Sequence, residues 1–295
     1  MTGARISVIT VTRNLITEGR ADAIRAAIIC VQAQGRAAFE HVIWDGASTD
    51  GTQDLLQQIV DEMSARPDSV PIRLVSQPDQ GLYDAMNRAV GMAQGDYVLF
   101  LNSDDSLASR DVLQQASAAL AQDPDFLYGA TVQRRPDGTD HLQDRMSLTA
   151  ILQRMPFCHN SVFLRRSMVL DLGGHDTQFR IAADYDLMLR MIAAGYRGQR
   201  LNASVSLFWD RGASGDDSRT GQDYARIWMK FYADLATSRG LTEQDFARFY
   251  RRGHMPVGLL LAVLRRPGTS APIQAAARHS LLKSLRRSLQ VWRRF

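Results

Sequence analysis

Tyr97-Val-Leu-Phe-Leu101-Asn102-Ser103-Asp104-Asp105 joins five apolar residues to four polar ones, the last two carboxylates. An apolar run of this length that breaks off at turn-forming residues predicts a strand buried on both faces and ending at an exposed edge. Three units of the same kind precede it. Ile6-Ser-Val-Ile-Thr-Val-Thr12 reads as a strand and Ala21 to Val31 as a helix. His41-Val-Ile-Trp44 is a second strand, followed by the turn Asp45-Gly-Ala-Ser-Thr-Asp50-Gly51 and a helix near Gln53 to Met63. Ile72 to Val75 is a third strand, and Tyr83 to Ala93 a helix closed by Gly95. Strands and helices alternating in this way require right-handed crossovers, hence an α/β fold with a mainly parallel sheet flanked by helices. Ligands of such sheets bind outside the carboxyl ends of the strands. Those ends here are Thr10 to Asn14, Asp45 to Asp50, Ser76 to Gly81 and Asn102 to Asp105, all polar.

Downstream the pattern changes. Phe126 to Gln133 and Ser161 to Arg165 read as strands, and Asp184 to Ala194 as a helix stopped by Gly195. From Gly221 onward all patterns are helical, with breaks at Gly253-His254 and Pro267-Gly268.

The charge is unevenly spread. The 295 residues carry a net +4, yet Leu241 to Phe295 contains eleven basic residues and only Glu243 and Asp245 as acids. An acidic body therefore precedes a cationic end, which points to a polyanionic partner, membrane or nucleic acid. With 45% hydrophobic and 22% charged residues the composition is that of a globular protein and excludes disorder or a collagen-like chain. Cys30 and Cys158 form no disulfide framework and no Cys-x-x-Cys metal site, so a reducing, cytoplasmic compartment is expected. Neither a secretory leader nor an apolar run of the roughly 20 residues that span a bilayer is evident.

Four segments can carry chemistry. Asp104 and Asp105 at a strand end can hold a divalent cation, Mg²⁺ or Mn²⁺, leaving room for phosphate oxygens and water; Asn-Ser-Asp-Asp is equally good N-cap chemistry for a helix starting near Arg110. Asp45 can accept hydrogen bonds from a nucleobase or ribose, or serve as an ordinary turn residue, while Asp50 caps the next helix. Gly81 stands just ahead of a helix, where a phosphate can approach backbone N–H groups. Asp184 begins a helix and shares the face of Leu187, Met188, Met191 and Ile192. There it is either the N-cap or an inward carboxylate kept ionised by the helix dipole, as a general base must be. Asp186 and Arg190, four residues apart, read as a helix-surface ion pair, and His159 as either a hydrogen-bonded structural histidine or a contact to phosphate or acceptor. No Walker A or Gly-x-Gly-x-x-Gly sequence is present.

The order of these segments carries more than any one alone. Ile6 to Asn14, Trp44-Asp-Gly-Ala-Ser-Thr-Asp-Gly-Thr52, Pro78-Asp-Gln-Gly-Leu-Tyr-Asp-Ala-Met-Asn87, Asn102-Ser-Asp-Asp105 and Ala183-Asp-Tyr-Asp-Leu187 together resemble the family 2 glycosyltransferases. Gly-Leu-Tyr-Asp-Ala-Met-Asn is similar to the subgroup that builds colanic-acid-type and other bacterial exopolysaccharides. The resemblance runs over residues 5 to 215, ending at Arg211-Gly-Ala-Ser214. It implies a GT-A fold, a nucleotide-sugar donor, a divalent cation and inversion at the anomeric carbon. It further implies that Thr10, Thr12, Arg13 and Asp45 line the nucleoside pocket, that Asp104 and Asp105 meet metal and diphosphate, and that Asp184 is the base. The sequence departs from the commonest family pattern at Asn102, where an aspartate is usual, and at Ala183, where many relatives carry glutamate.

The expected organisation is a transferase domain over residues 1–220 and a helical, basic extension over 221–295. On a helical wheel Leu281, Leu285, Leu289 and Trp292 cluster opposite Lys283, Arg286, Arg287, Arg293 and Arg294. Such a helix either lies on an anionic membrane, placing the enzyme at the inner face of the plasma membrane beside a lipid-linked saccharide acceptor, or packs its leucines on the body. A catalytically silent scaffold is a competing reading. Nucleic-acid binding through the basic end is disfavoured by the acidic body.

Overall fold

In a computed structural model, which describes residues 3–135, 137–209 and 217–292, the chain divides into two compact units. The first comprises Met1–Met146, Phe157–Thr177 and Arg197–Arg211, and the second Ser147–Pro156, Gln178–Tyr196 and Gly212–Phe295. Unlike the expected split after residue 220, this division groups residues 147–156, 178–196 and 212–220 with the C-terminal helices.

The first unit holds the whole sheet. Its strands are β1 (Ile6–Thr12), β2 (Glu40–Asp45), β3 (Ile72–Ser76), β4 (Tyr97–Phe100), β5 (Ser106–Leu107), β6 (Phe126–Arg134), β7 (Asp140–Gln143), β8 (Val162–Arg165) and β9 (Gly198–Trp209). They run in the order β3-β2-β1-β4-β8-β6-β9-β5, with β7 paired to β6. The first four are parallel, as the crossover argument requires. Beyond β4 the sheet becomes mixed: β8 is antiparallel to β4 and β6, and β9 is parallel to β6. Strand β9, twelve residues long, lies in a stretch to which the sequence reading assigns no element. Its side chains alternate between apolar and small polar, and its register with β6 shifts near Tyr128 and Ala130, so a clean period of two is missing.

Helices α1 (Ala21–Gln32), α2 (Thr52–Ser64), α3 (Leu82–Met92), α4 (Val112–Leu120) and α5 (Arg166–Asp171) cover this sheet. One core gathers Ile6, Val8, Leu99, Leu113, Leu127 and Phe163, and a second Ile24, Ile28, Ile43, Leu56 and Ile59. Every residue of β1, β2 and β4 is buried, which is why these strands are almost unbroken apolar runs. Gly95 has a steric duty: a Cβ there would stand 2.8 Å from the Ser7 amide nitrogen and 2.9 Å from the Arg5 carbonyl oxygen.

His41 is a polar residue inside this core. The Thr10 hydroxyl donates to the Leu101 carbonyl at 2.9 Å, so it accepts from His41 Nε2, also at 2.9 Å. Nδ1 is then left buried with no hydrogen-bond partner among the described residues. Burial pushes the imidazole down from 6.5 to about 3. Below pH 6.5 the unfolded chain therefore binds a proton that the fold refuses, and stability falls as pH falls. The loss is about 2 kcal/mol between pH 7 and pH 5, partly offset by Asp105, which titrates in the opposite sense. In urea titrations at the two pH values, His41→Asn should lose about 2 kcal/mol less than wild type; equal losses would contradict this.

The second unit is helical: α6 (Ala183–Ala194), α7 (Asp217–Phe231), α8 (Ala233–Arg239), α9 (Glu243–Arg252), α10 (Val257–Arg265) and α11 (Ala271–Trp292). The breaks at Gly253 and around Pro267 fall where the sequence placed them. In α11 the buried stripe is Ile273, Ala276, Ala277, Ser280 and Ser284, with Gln153 donating to Ser280 at 2.9 Å. Leu282 faces outward. The side chains of Leu285, Leu289, Trp292 and the arginines from 286 onward lie outside the described residues, as does the segment 211–214.

Candidate active site

The carboxyl ends of β1, β2, β3 and β4 lie side by side because those strands are neighbours in the sheet. The chain leaves β1 and β2 through two non-glycine residues with left-handed backbone, Asn14 (φ 48°) and Ala47 (φ 53°). Each conformation costs on the order of 1 kcal/mol and persists only where surrounding bonds enforce it. They do so here: Ser48 Oγ accepts from the Asn14 amide at 2.7 Å, and Asn14 Oδ1 from the Thr49 amide at 3.1 Å.

Asp45 organises this edge from the inside. Its carboxylate is 0% exposed and accepts from the Ser48 amide (2.9 Å), the Ser48 hydroxyl, Ser76 (2.7 Å) and Thr12 (3.3 Å). Both oxygens thereby accept hydrogen bonds, and Asp45 ties three strand ends together. The Thr10 hydroxyl faces the interior between His41 and Leu101. Thr12 remains at the edge beside Asp45. Arg13 is exposed and has no hydrogen-bond or ion-pair partner among the described residues. Asp50 does the capping work expected of it, accepting from the Thr52 amide at 3.1 Å, although Gly51 is the formal N-cap of α2.

Gly81 precedes α3 with φ 125°, a conformation few side chains tolerate. Its amide donates to Asp79 at 2.9 Å, and the neighbouring Gln80 amide donates to Asp84 at 2.9 Å. Two carboxylates already use the N–H groups offered for phosphate, and their charge would repel it.

Asp104 and Asp105 lie between β4 and β5, and α4 begins only at Val112 behind Asp111, so neither is a helix cap. Asp104 is 36% exposed and forms an ion pair with Arg20 at 2.6 Å. Asp105 is 6% exposed, and its Oδ2 accepts from Asn102 (2.9 Å) and Asn160 (3.0 Å). Burial, reinforced by the charge of Asp104 against the two amides and His159, pushes the Asp105 carboxyl up to about 6. A buried carboxylate beside a second one calls for a cation, and Arg20 meets that need at Asp104 in this structure. Among the described residues no group of three or more His, Cys, Asp and Glu is arranged around a metal position. Two hard oxygen donors still fit Mg²⁺ or Mn²⁺, which usually keep waters and take phosphate oxygens as further ligands.

Asn160, which bonds Asp105, is a residue of this edge that the sequence reading does not single out. It continues a buried polar chain: Ser206 donates to Asn160 Oδ1 at 3.0 Å, Ser206 and Ser161 hydroxyls lie 2.6 Å apart, and Ser161 and Thr131 2.5 Å apart. The clue was available, since Asn160-Ser161 precedes the apolar strand β8 and must be buried with it. Asn87 has a comparable office at the end of its motif, gripping the His175 amide (2.8 Å) and carbonyl (2.8 Å).

In the helical unit, Asp184 is the second residue of α6, whose N-cap is Ala182. It is therefore not the N-cap. Its Oδ1 accepts from the Tyr185 amide at 2.8 Å, and the start of the helix is instead held by Asp223, which accepts from the Ile181 (2.8 Å) and Ala182 (3.2 Å) amides. Tyr185 and Tyr224 stack with centroids 4.2 Å apart. Burial, then the negative charge of Asp184, raises the Tyr224 hydroxyl well above its ordinary value. Asp186 was expected on the helix surface but is 2% exposed, bonded to Arg190 at 2.7 Å and Lys230 at 3.2 Å. The i, i+4 pair exists, but Asp186 itself is buried and is also paired with Lys230 from α7.

Residues 7–182 match the model of glycosyl transferase family 2. The chain belongs to this family. A relative named PGL/p-HBAD biosynthesis glycosyltransferase, from Mycobacterium bovis, is 31% identical over 192 residues, covering 64% of this chain and 70% of its own. Among solved structures, residues 1–349 of Staphylococcus aureus TarS superpose with a TM-score of 0.58 at 17% identity, covering 79% of this chain and 65% of that one. The mannosyltransferase PcManGT of Pyrobaculum calidifontis, solved with GDP-Man and Mn²⁺, gives a TM-score of 0.56 at 23% identity, covering 95% of this family 2 chain and 88% of its own. The shared fold is of the GT-A type, a curled α/β sheet followed here by a helical C-terminal region.

Proposed function

We propose that this family 2 chain is an inverting glycosyltransferase that moves a sugar from a nucleotide-sugar donor to a hydroxyl of a lipid-linked saccharide acceptor in bacterial surface polysaccharide synthesis. The observation that carries the reading is the acidic edge made by Asp104 and Asp105 at the carboxyl end of a parallel sheet in a chain of this family. Thr12 and Arg13 border the same edge and are assigned to the nucleotide. Asp104 and Asp105 are the residues to hold Mn²⁺ or Mg²⁺, which when bound neutralises charge on the departing diphosphate. To hold the cation, Asp104 would have to give up its ion pair with Arg20. Asp184 is assigned the acceptor proton: the acceptor oxygen bonds to the anomeric carbon, the bond from that carbon to the diphosphate breaks, and the nucleoside diphosphate leaves with the electron pair. Fixing donor and acceptor in line removes much of the entropic barrier.

No helix of the described residues is long and apolar enough to cross a membrane. The basic extension is assigned a peripheral role on an anionic membrane, where each Lys or Arg near the surface adds about 1 kcal/mol.

A thermal-shift screen of UDP-, GDP-, CMP- and dTDP-sugars with Mn²⁺ tests the donor assignment. A ligand at about 100 times its Kd stabilises by about 2.7 kcal/mol, which for a chain of this size is a rise of roughly 5 °C. One nucleotide class is expected to produce it, and no shift with any of them would overturn the reading.

A further inference from the structure

Helices α8 and α10 of the helical unit border a cleft of about 430 Å³ whose floor and rim differ in chemistry. The floor is Leu235, Leu261 and Ala262, and the rim carries Arg239, Arg265 and Arg266 with a single carboxylate, Asp234. Arg266 takes that carboxylate at 2.9 Å. Arg239 and Arg265 have no salt-bridge partner among the described residues. Both stand in the last turns of their helices, where a cation offsets about half a charge of the dipole; that role needs no apolar cleft between them. Gly258 makes the room: a Cβ there would stand 2.7 Å from Arg239 Nη1, so its absence lets the guanidinium lie along α10.

Helix α10 has two unlike faces. Leu259, Leu260 and Val263 are buried, whereas Val257, 37% exposed, shares its outward stripe with the partly exposed Leu261 and Leu264. Arg251 and Arg252 precede this stripe, Arg265 and Arg266 follow it, and no acidic residue occurs after Asp245. An apolar stripe between cationic ends is the pattern of a helix lying in a membrane interface. Guanidinium forks suit phosphate oxygens.

We propose that this cleft seats an anionic membrane phospholipid, its phosphate taken by Arg239 and Arg265 and the upper part of an acyl chain lying on Leu235, Leu261 and Ala262. The proposal rests on the peripheral-membrane assignment above and confines it to one site.

Sedimentation of the full chain with phosphatidylcholine vesicles, with and without phosphatidylglycerol, tests it. Arg239→Gln with Arg265→Gln removes the cleft cations, Arg251→Gln with Arg252→Gln removes equal charge elsewhere, and Ala262→Gln makes the floor polar without changing charge. Donor-induced thermal shift in each variant confirms that it folds. Loss of two surface cations alone weakens binding by about 30-fold. The cleft pair should weaken it about tenfold more than the control pair, and Ala262→Gln should weaken it several-fold. Equal losses from the two arginine pairs, or unchanged binding by Ala262→Gln, would overturn the cleft while leaving the membrane assignment intact. A wild-type chain that ignores phosphatidylglycerol would overturn both. Inorganic phosphate or an oligonucleotide that displaces the chain as well as short-chain phosphatidylglycerol does would identify a bare anion or nucleic-acid site and overturn the lipid.

Discussion

Asp184→Asn is expected to fold, to bind donor as wild type does, and to turn over about 10²–10⁴-fold more slowly, the usual worth of general-base assistance. The substitution is nearly isosteric, and its amide oxygen can still accept from the Tyr185 amide that Asp184 Oδ1 meets at 2.8 Å. Because Asp223 rather than Asp184 holds the Ile181 and Ala182 amides, the start of α6 does not depend on the exchanged group. A fall in kcat at unchanged donor affinity therefore separates proton transfer from architecture. Turnover like that of wild type would remove Asp184 from the chemistry.

Asp104→Ala combined with Asp105→Ala should abolish the part of donor binding that depends on Mn²⁺. In calorimetry the wild-type protein is expected to bind donor more tightly with Mn²⁺ than with EDTA, and the double variant to show no such difference. The pair is not uniform. Asp104 can be freed by the departure of Arg20, whereas Asp105 is locked by Asn102 and Asn160, so loss of Asp105 also strands the buried Asn160 amide and the half-buried Asn102 amide. The single variants should therefore differ, Asp105→Ala lowering the melting temperature and Asp104→Ala leaving it near that of wild type. Donor binding equal in Mn²⁺ and EDTA for the wild-type chain would count against the metal assignment.

Strands β1, β2 and β4 were legible because parallel strands covered on both faces are largely apolar, and the half-buried edge strand β3 because its short apolar run, like theirs, ends at a polar turn. Strand β9 was not, since its residues alternate irregularly around a shift of register with β6. The acidic strand end was legible as chemistry, but the direction of individual side chains was not. Asp45 and Thr10 occupy the expected positions and turn inward, because buried hydroxyls and a buried histidine need partners that only the folded sheet brings within reach. Asp186 was read as a surface residue from local spacing alone, and Lys230, 44 positions away, was invisible to that reading. Asn160 and Arg20 escaped notice for the same reason: each acts through a carboxylate distant in sequence.

Release of the nucleotide from the stabilising nucleotide sugar (a nucleoside diphosphate, or CMP from a CMP-sugar), followed with Mn²⁺ and a lipid-linked saccharide acceptor, tests the central assignment most directly. Wild type should release it, EDTA should stop it, and Asp184→Asn should slow it by about 10²–10⁴-fold. No release above background from any UDP-, GDP-, CMP- or dTDP-sugar would contradict the assignment and leave a transferase fold that does not transfer.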